Sequence, residues 1–392
     1  MMNDSKSPHD FVAPHLNSVP RSGIRDFFEI VSTRKDVISL GIGEPDFITP
    51  WHIRESSIYA LNRGATSYTA NLGLLELRQA IAKYVRQRFD VDYDPKHEIM
   101  ITVGVSEALD LAIRALISPG DEVLYHEPCY VSYAPVIAFA HGKPVAVETK
   151  AEDDFRLRID ALEAKVTPKT RVLMLNFPTN PTGATLRQKD IEDIAAFAIK
   201  HNLVVITDEI YSELTYEAER VSIASVPGMR ERTIFLNGFS KAWAMTGYRI
   251  GFSCAPPAMT DAMMKLHQYT MLCAPILAQK AAIEALEHGD EALSHMRASY
   301  RQRRNLMVKG LQEAGLQCHL PQGAFYAFPY IGHLGIPSHD FAMRFLEEEN
   351  VACVPGTAFG ACGEGFIRCA YATGIEKIQT AMTRLRDFTN RL

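Results

Sequence analysis

The sequence lacks the run of about 18 apolar residues that a membrane-spanning helix needs, so no membrane partner is expected. It also lacks a basic tract. The 41 lysines and arginines are outnumbered by 46 aspartates and glutamates, for a formal net charge of −5, and no nucleic-acid partner is expected. The first ten residues, MMNDSKSPHD, contain no apolar core of a secretory signal. Cysteine is sparse and odd in number: Cys129, Cys254, Cys273, Cys318, Cys353, Cys362 and Cys369, with no C-x-x-C pair. That pattern argues against a disulfide framework and against a metal site, and fits a reduced, cytoplasmic protein. No repeat of solenoid period and no low-complexity tract is present.

What is there is ordinary in bulk. The 392 residues are 47% hydrophobic and 22% charged, enough for one large and one smaller domain. The polar, proline-containing segment to about Pro20 reads as an arm. From Glu98 an alternation begins. EIMITVG reads as a buried strand, and Ser106 to Ile117 as a helix with Ser106 as its cap. Pro119-Gly120 breaks it, and DEVLYHE, KPVAVET, RVLMLNFP, LVVITDE, TIFLNGF and RIGFSCAP follow as short apolar runs, with a helical pattern at Leu186 to His201. Near-continuous apolar strands alternating with helices predict an α/β fold with a mainly parallel sheet covered on both faces. Ligands in such sheets sit at the carboxyl ends of the strands. After about Pro257 the alternation lapses. GAFYAFPY, VACVPG and FIRCAYA, with helical runs at 338–350 and 375–391, suggest a smaller α+β domain.

Three stretches carry chemistry, and a fourth excludes one. In GFSKAWAMTGYRIG (238–251) a lysine stands eight residues before an arginine among small residues. Lys241 can form an imine with an aldehyde, and Arg249 can pair with a phosphate through its rigid fork of donors, which is what a pyridoxal-phosphate site requires. In ITDEIY, Asp208 ends a buried apolar strand, where a carboxylate is costly unless paired. A protonated ring nitrogen is a suitable partner, and keeping it protonated makes the ring an electron sink. Tyr211 follows one turn later. In TVGVSEAL, the backbone amides of Gly104, Val105 and Ser106 fall where a strand gives way to a helix, a ready anion site. LGIGEPDFITP fails as G-x-G-x-x-G because residue 46 is aspartate, which argues against a nicotinamide cofactor.

The 238–251 string resembles the lysine-attachment motif of the class I and II aminotransferases, pyridoxal-phosphate fold type I. The resemblance runs from about Ile38 to the C-terminus with the motifs in the family's order. It implies a large domain at 46–285 with a seven-stranded sheet, a small C-terminal domain at 286–392, and an arm at 1–45 that belongs partly with the small domain. It implies pyridoxal 5'-phosphate as cofactor, Lys241 as Schiff-base lysine and general base, and Asp208 and Tyr211 as its catalytic partners, with Tyr211 donating to the 3′-oxygen. Asn180 in LNFPTNPTG would bridge that oxygen and the substrate carboxylate. Tyr130 in EPCYVSY would stack on the ring, and Arg368 in FIRCAYATG and the Gly43 backbone would hold the α-carboxylate. Tyr68 in SYTANLGLLELR would reach the phosphate of a neighbouring subunit, making a homodimer with a composite site. One departure is clear: many members carry a serine three residues before the lysine, and this chain has Gly238, leaving Ser240 as the nearby hydroxyl.

Within the family the resemblance is nearest to the bacterial and archaeal subgroup of aspartate, aromatic and N-acetyl-diaminopimelate aminotransferases. It implies ping-pong transfer of an amino group to a 2-oxo acid, with 2-oxoglutarate expected by analogy. Phe27 and Phe28 are candidates for a side-chain pocket and Arg25 for pairing an acidic substrate. Two alternatives stay open at this point: a C–S β-lyase on the same fold, using the same lysine and aspartate, and a non-enzymatic sensor, which the absence of a helix-turn-helix pattern disfavours.

Overall fold

The computed structural model describes residues 7–19, 34 and 36–392. Arg25, Phe27 and Phe28 lie outside the described residues. A short strand, β1 (Ile38–Ser39), is followed by helices α1 (Trp51–Asn62) and α2 (Leu75–Phe89). Strands and helices then alternate: β2 (Ile99–Thr102), α3 (Gly104–Leu116), β3 (Glu122–Glu127), α4 (Tyr133–Phe139), β4 (Lys143–Glu148), α5 (Ile159–Glu163), β5 (Thr170–Asn176), α6 (Gln188–Lys200) and β6 (Val204–Asp208). Strands β7 (Thr233–Gly238) and β8 (Gly251–Cys254) follow, then helices α7 (Pro257–Thr270), α8 (Ile276–His288) and α9 (Asp290–Glu313). The C-terminal part holds β9 (Tyr326–Ala327), α10 (Ser338–Glu349), β10 (Val351–Ala352), β11 (Val354–Pro355), β12 (Ile367–Ala370) and α11 (Ile375–Thr389).

Strands β2 to β8 form one seven-stranded sheet in the order β2-β8-β7-β6-β5-β3-β4. Every pairing among β3 to β7 is parallel, and only β8 runs against its neighbours. The strands are apolar on both faces because both faces are covered. Met174, Ile206 and Ile234 pack with Leu109, Ala112 and Ile113 of α3 on one side. Leu173, Leu175 and Val205 pack with Ile191, Ile194 and Ala198 of α6 on the other, as the two-residue period of a strand requires. A second core, with aromatic residues such as Trp243, Tyr300 and Phe325 among aliphatic ones, joins α2 and α9 to the C-terminal strands.

Two features of register position the site. Asn176 pairs with Asp208, and Asp208 with Leu236, so β5, β6 and β7 end nearly level and their loops open onto one rim. At the other side, β1 pairs in parallel with β10, and the Ala370 amide donates to the Leu40 carbonyl. The segment after β1 is thereby carried from the C-terminal strands across to the same rim.

Candidate active site

A cavity of about 530 Å³ lies at the carboxyl ends of the parallel strands, the size expected for a small-molecule site. Its floor is the end of β6. Asp208 is buried, and burial raises its carboxyl to about 6, partly opposed by hydrogen bonds from Tyr133 and the Ile210 amide and by the charge of Lys241. Tyr133 donates to Oδ2 at 2.9 Å and the Ile210 amide to Oδ1 at 3.2 Å. Asn176, its register partner, donates from Nδ2 to the Asp208 carbonyl at 2.9 Å. The backbone and one carboxylate edge are thus fixed, and the carboxylate still needs a cationic partner.

The turn between β7 and β8 supplies two cations. Lys241 reaches across the cavity and donates to the Gly43 carbonyl at 2.7 Å. Its amine is lowered to about 8, chiefly by burial and also by the nearby Arg368 and Arg249, with Glu44 and Asp208 opposing. Arg249 takes a left-handed conformation, φ 49°, and its guanidinium lies over Gly104. A Cβ on Gly104 would sit 2.5 Å from Arg249 Nη2, and Gly104 itself has φ +74°, so only glycine lets the start of α3 approach this cation. The first amides of α3 and the Arg249 fork therefore converge on one corner, as an anion requires.

Gly238 also has a structural reason. It pairs with Gly251 across the β7–β8 ladder, and a Cβ there would come within 3.1 Å of the Gly251 Cα, the Ile250 carbonyl and Val105. A serine would crowd that contact. Ser240 lines the cavity instead.

The far wall comes from the C-terminal strands. Arg368, on β12, is 2% exposed. It donates to Asn180 Oδ1 at 3.0 Å and to the Gly41 carbonyl, and its guanidinium lies 4.5 Å from the Tyr326 ring and 4.8 Å from the Phe359 ring. Its Nε is buried with no hydrogen-bond partner. Burial lowers its pKa, although a guanidinium stays charged. Tyr326 shares a hydrogen bond of 2.9 Å with Tyr211, whose phenol burial pushes well above the usual range.

Of the residues singled out in the sequence, Gly43, Val105, Ser106, Tyr130, Asn180, Asp208, Tyr211, Ser240, Lys241, Arg249 and Arg368 line this one cavity. Gly104 sits behind Arg249 at its edge. Tyr68 does not line it; it is 83% exposed on the surface. Ser106 is not the helix cap. The helix starts two residues earlier, at Gly104, and Glu107 reaches back so that its Oε2 accepts the Val103 amide at 2.5 Å. Tyr133, Asn176 and Tyr326 were not foreseen. Tyr133 stands three residues after Tyr130, and Asn176 four before Asn180, so the same motifs held a weak pointer to both. Tyr326, in GAFYAFPY, carried none.

The residues present fit pyridoxal phosphate. The buried carboxylate of Asp208 suits a protonated ring nitrogen, Lys241 an aldehyde, and the Arg249–Gly104 corner a phosphate. The unpartnered Nε of Arg368 is a donor still open to a carboxylate. Among the described residues there is no cluster of metal-ligating side chains and no helix long and apolar enough to cross a membrane.

The family described as aminotransferase class I and II matches residues 35–385. The chain is 46% identical over 377 residues to aromatic-amino-acid aminotransferase 2 of Thermococcus litoralis, covering 95% of this chain and 97% of that one. It is 47% identical over 377 residues to the aspartate aminotransferase of Pyrococcus abyssi, with the same coverage of 95% and 97%. The crystal structure of an aromatic aminotransferase from Pyrococcus horikoshii superposes with a TM-score of 0.90 at 47% identity, covering 94% of this chain and 99% of that one. The chain belongs to the class I and II aminotransferase family, and is a pyridoxal-phosphate-dependent transaminase.

Proposed function

We propose that this enzyme moves the amino group of an L-amino acid of aromatic, aspartate or N-acetyl-diaminopimelate type to a 2-oxo acid, 2-oxoglutarate, in two ping-pong half-reactions. The observation that carries the reading is the convergence of Lys241, Asp208, Arg249 and Arg368 on a single cavity. The names of the relatives supply the donor types, and analogy supplies the acceptor.

When bound, the cofactor supplies an aldehyde for the amine and a conjugated ring that takes up the electron pair left at Cα. The chain's residues do the rest. Arg249 and the first amides of α3 would hold the phosphate, and Asp208 would serve the ring nitrogen as its counter-charge. Tyr130 would cover the ring, and Tyr211 and Asn180 would donate to its 3′-oxygen. Arg368, with Asn180 and the Gly43 backbone, grips the substrate carboxylate and so orients the Cα–H bond. Lys241 would take the Cα proton on Nζ and deliver it to the cofactor's former aldehyde carbon, two atoms along, as base and then acid. An amine lowered to about 8 is partly unprotonated near neutrality and is suited to both roles.

The domain division is part of the same reading: 46–285 large, 286–392 small, with 1–45 joining the small domain, supported by the β1–β10 pairing. So is a homodimer in which Tyr68 serves the partner's phosphate site. Tyr68, Tyr269 (86%), Tyr59 (64%), Trp51 (57%) and Met271 (51%) are large side chains left exposed on α1, the loop after it and the end of α7. We place the protein in the cytoplasm, where its seven free thiols would stay reduced.

The test is the visible spectrum of the cofactor-loaded protein while single amino acids are added. The band of the lysine-bound cofactor is expected to bleach with glutamate and with the preferred donors, and to return with 2-oxoglutarate. Release of pyruvate and ammonia from cystathionine without any oxo acid would instead make the protein a lyase. A band that no amino acid changes would overturn the transaminase reading for this site.

A further inference from the structure

Tyr326 enters the cavity wall from the C-terminal side and bonds to Tyr211, the phenol expected to serve the cofactor's 3′-oxygen. It stands on β9 opposite Ala370 of β12, so it shares a sheet face with Arg368, two residues before Ala370. Three contacts fix its ring. The Arg368 guanidinium lies 4.5 Å from the ring centroid. The Tyr211 ring meets it edge-on at 5.8 Å, with 77° between the planes. The hydroxyl lies so close to Gly43 that a Cβ on that glycine would come within 2.8 Å of it. Lys241 Nζ is 6.0 Å from the centroid of the Tyr211 ring, so this phenol stands beside the atom that takes the aldehyde.

The two hydroxyls are 2.9 Å apart, and among the described residues neither has another hydrogen-bond partner. A phenol has one hydrogen to give and lone pairs with which to accept. If Tyr211 gave its hydrogen to Tyr326, it would turn only lone pairs towards an oxygen that carries negative charge. If Tyr326 gives its hydrogen, Tyr211 accepts it and keeps its own for the cavity. A donor that also accepts is a stronger donor, because each bond polarises the next. Burial raises the Tyr326 phenol, and the Arg368 charge beside it works the other way, towards a readier donor.

We infer that Tyr326 is a positioning residue for Tyr211: its hydroxyl donates to the Tyr211 oxygen, aims the Tyr211 hydrogen into the cavity and strengthens it as a donor to the 3′-oxygen. The inference rests on the reading of Tyr211 as that donor. Tyr326 needs no contact with the cofactor in this arrangement, and its effect passes through Tyr211. A hydroxyl on β9, beside the arginine that would hold the substrate carboxylate, thereby becomes part of the electronic setting of the lysine-bound cofactor.

The experiment follows the visible band of the lysine-bound cofactor against pH in the loaded enzyme, with no substrate present. The band changes as a proton joins the lysine nitrogen. A donor to the 3′-oxygen offsets negative charge that this proton would otherwise balance, so a weaker donor raises the midpoint. Tyr211→Phe is expected to raise it by about one to two pH units. Tyr326→Phe, which removes one oxygen and keeps the ring against Arg368, is expected to raise it by roughly 0.2–0.6 of a pH unit, about 10–30% of the larger value. The double variant Tyr211→Phe/Tyr326→Phe is expected to rise no further than Tyr211→Phe, because the chain of hydroxyls has lost its middle member. A rise below about 0.2 of a pH unit in Tyr326→Phe overturns the inference. A fall overturns it too, since Tyr211 would then have been giving its hydrogen to Tyr326. So does a full Tyr326→Phe shift that persists on the Tyr211→Phe background, because the effect would reach the cofactor by another route. If Tyr211→Phe itself leaves the midpoint unmoved, the 3′-oxygen reading of Tyr211 is what fails, and the inference falls with it.

Discussion

Replacing Tyr133 by phenylalanine tests the electrostatics of the cavity floor with a single atom. Asp208 is buried, and its carboxyl stands at about 6 against an ordinary 3.8, with desolvation as the main cause. Its folded value lies above its unfolded one, so the group's contribution to stability is fully present below about pH 4 and is lost as pH rises through about 6. Two pH units correspond to about 3 kcal/mol lost by neutrality in the cofactor-free protein. The Tyr133 hydroxyl, 2.9 Å from Oδ2, is one of two donors that limit the loss. A hydrogen bond to a charged acceptor contributes about 1.5–3 kcal/mol, so its removal should raise the Asp208 carboxyl by a further one to two pH units, roughly. The assay is a carboxyl-carbon NMR titration of the cofactor-free protein, wild type against Tyr133→Phe. Between about pH 6 and 8 the variant should hold a proton that the wild type has lost. A midpoint that stays put, or falls, would refute the placement of Tyr133 as a donor to Asp208. In the loaded enzyme the same change should lower the affinity for pyridoxal phosphate, because a carboxyl that keeps its proton is a poorer partner for a protonated ring nitrogen.

Three further outcomes follow from the same geometry. The rate at which cofactor-free protein captures pyridoxal phosphate should rise with pH through about 8, since only the unprotonated Lys241 amine attacks an aldehyde, and Lys241→Ala should give no lysine-bound absorption band at any pH. Arg368→Lys should lower kcat/KM for amino acids by about 10–100-fold, mostly through KM, because one ammonium cannot reproduce the planar fork; steady-state kinetics within twofold of wild type would count against its carboxylate role. Gly104→Ala should lower the unfolding free energy by about 1–2 kcal/mol from the left-handed backbone alone, and should weaken cofactor binding as well, because the new methyl displaces the Arg249 guanidinium; denaturant unfolding and cofactor titration read the two effects separately.

The sheet was legible because buried strands write themselves as apolar runs, and seven such runs between Glu98 and Pro257 recur as strands. The groups expected to meet cofactor or substrate were legible for a related reason. Lys241, Arg249, Gly104 and Asp208 lie in or beside turns at strand ends, where backbone geometry demands glycine or small neighbours, and those neighbours make a local string. The start of α3 was misplaced by two residues because its cap is not a serine beside it. A carboxylate three residues further on performs that task, and the backbone bends through a glycine at φ +74°.

The groups that tune the site left little or no such mark. Tyr133 meets Asp208 across 75 residues, and Tyr326 meets Tyr211 across 115. In sequence Tyr133 and Tyr326 fit a helix or strand pattern and pass for core residues. Their effect comes from a hydroxyl ending up buried opposite the right atom, which is a property of packing and not of local spacing. The division has a physical cause. Groups at the ends of the parallel strands protrude from backbone turns, so local sequence constrains them. Groups that set the charge and position of those residues need only be near them in space, and any element that packs there can supply one. Gly238 shows the two constraints meeting at one position. The turn would take a serine, the β8 backbone opposite it crowds the serine's Cβ, and the hydroxyl is found instead two residues on, at Ser240.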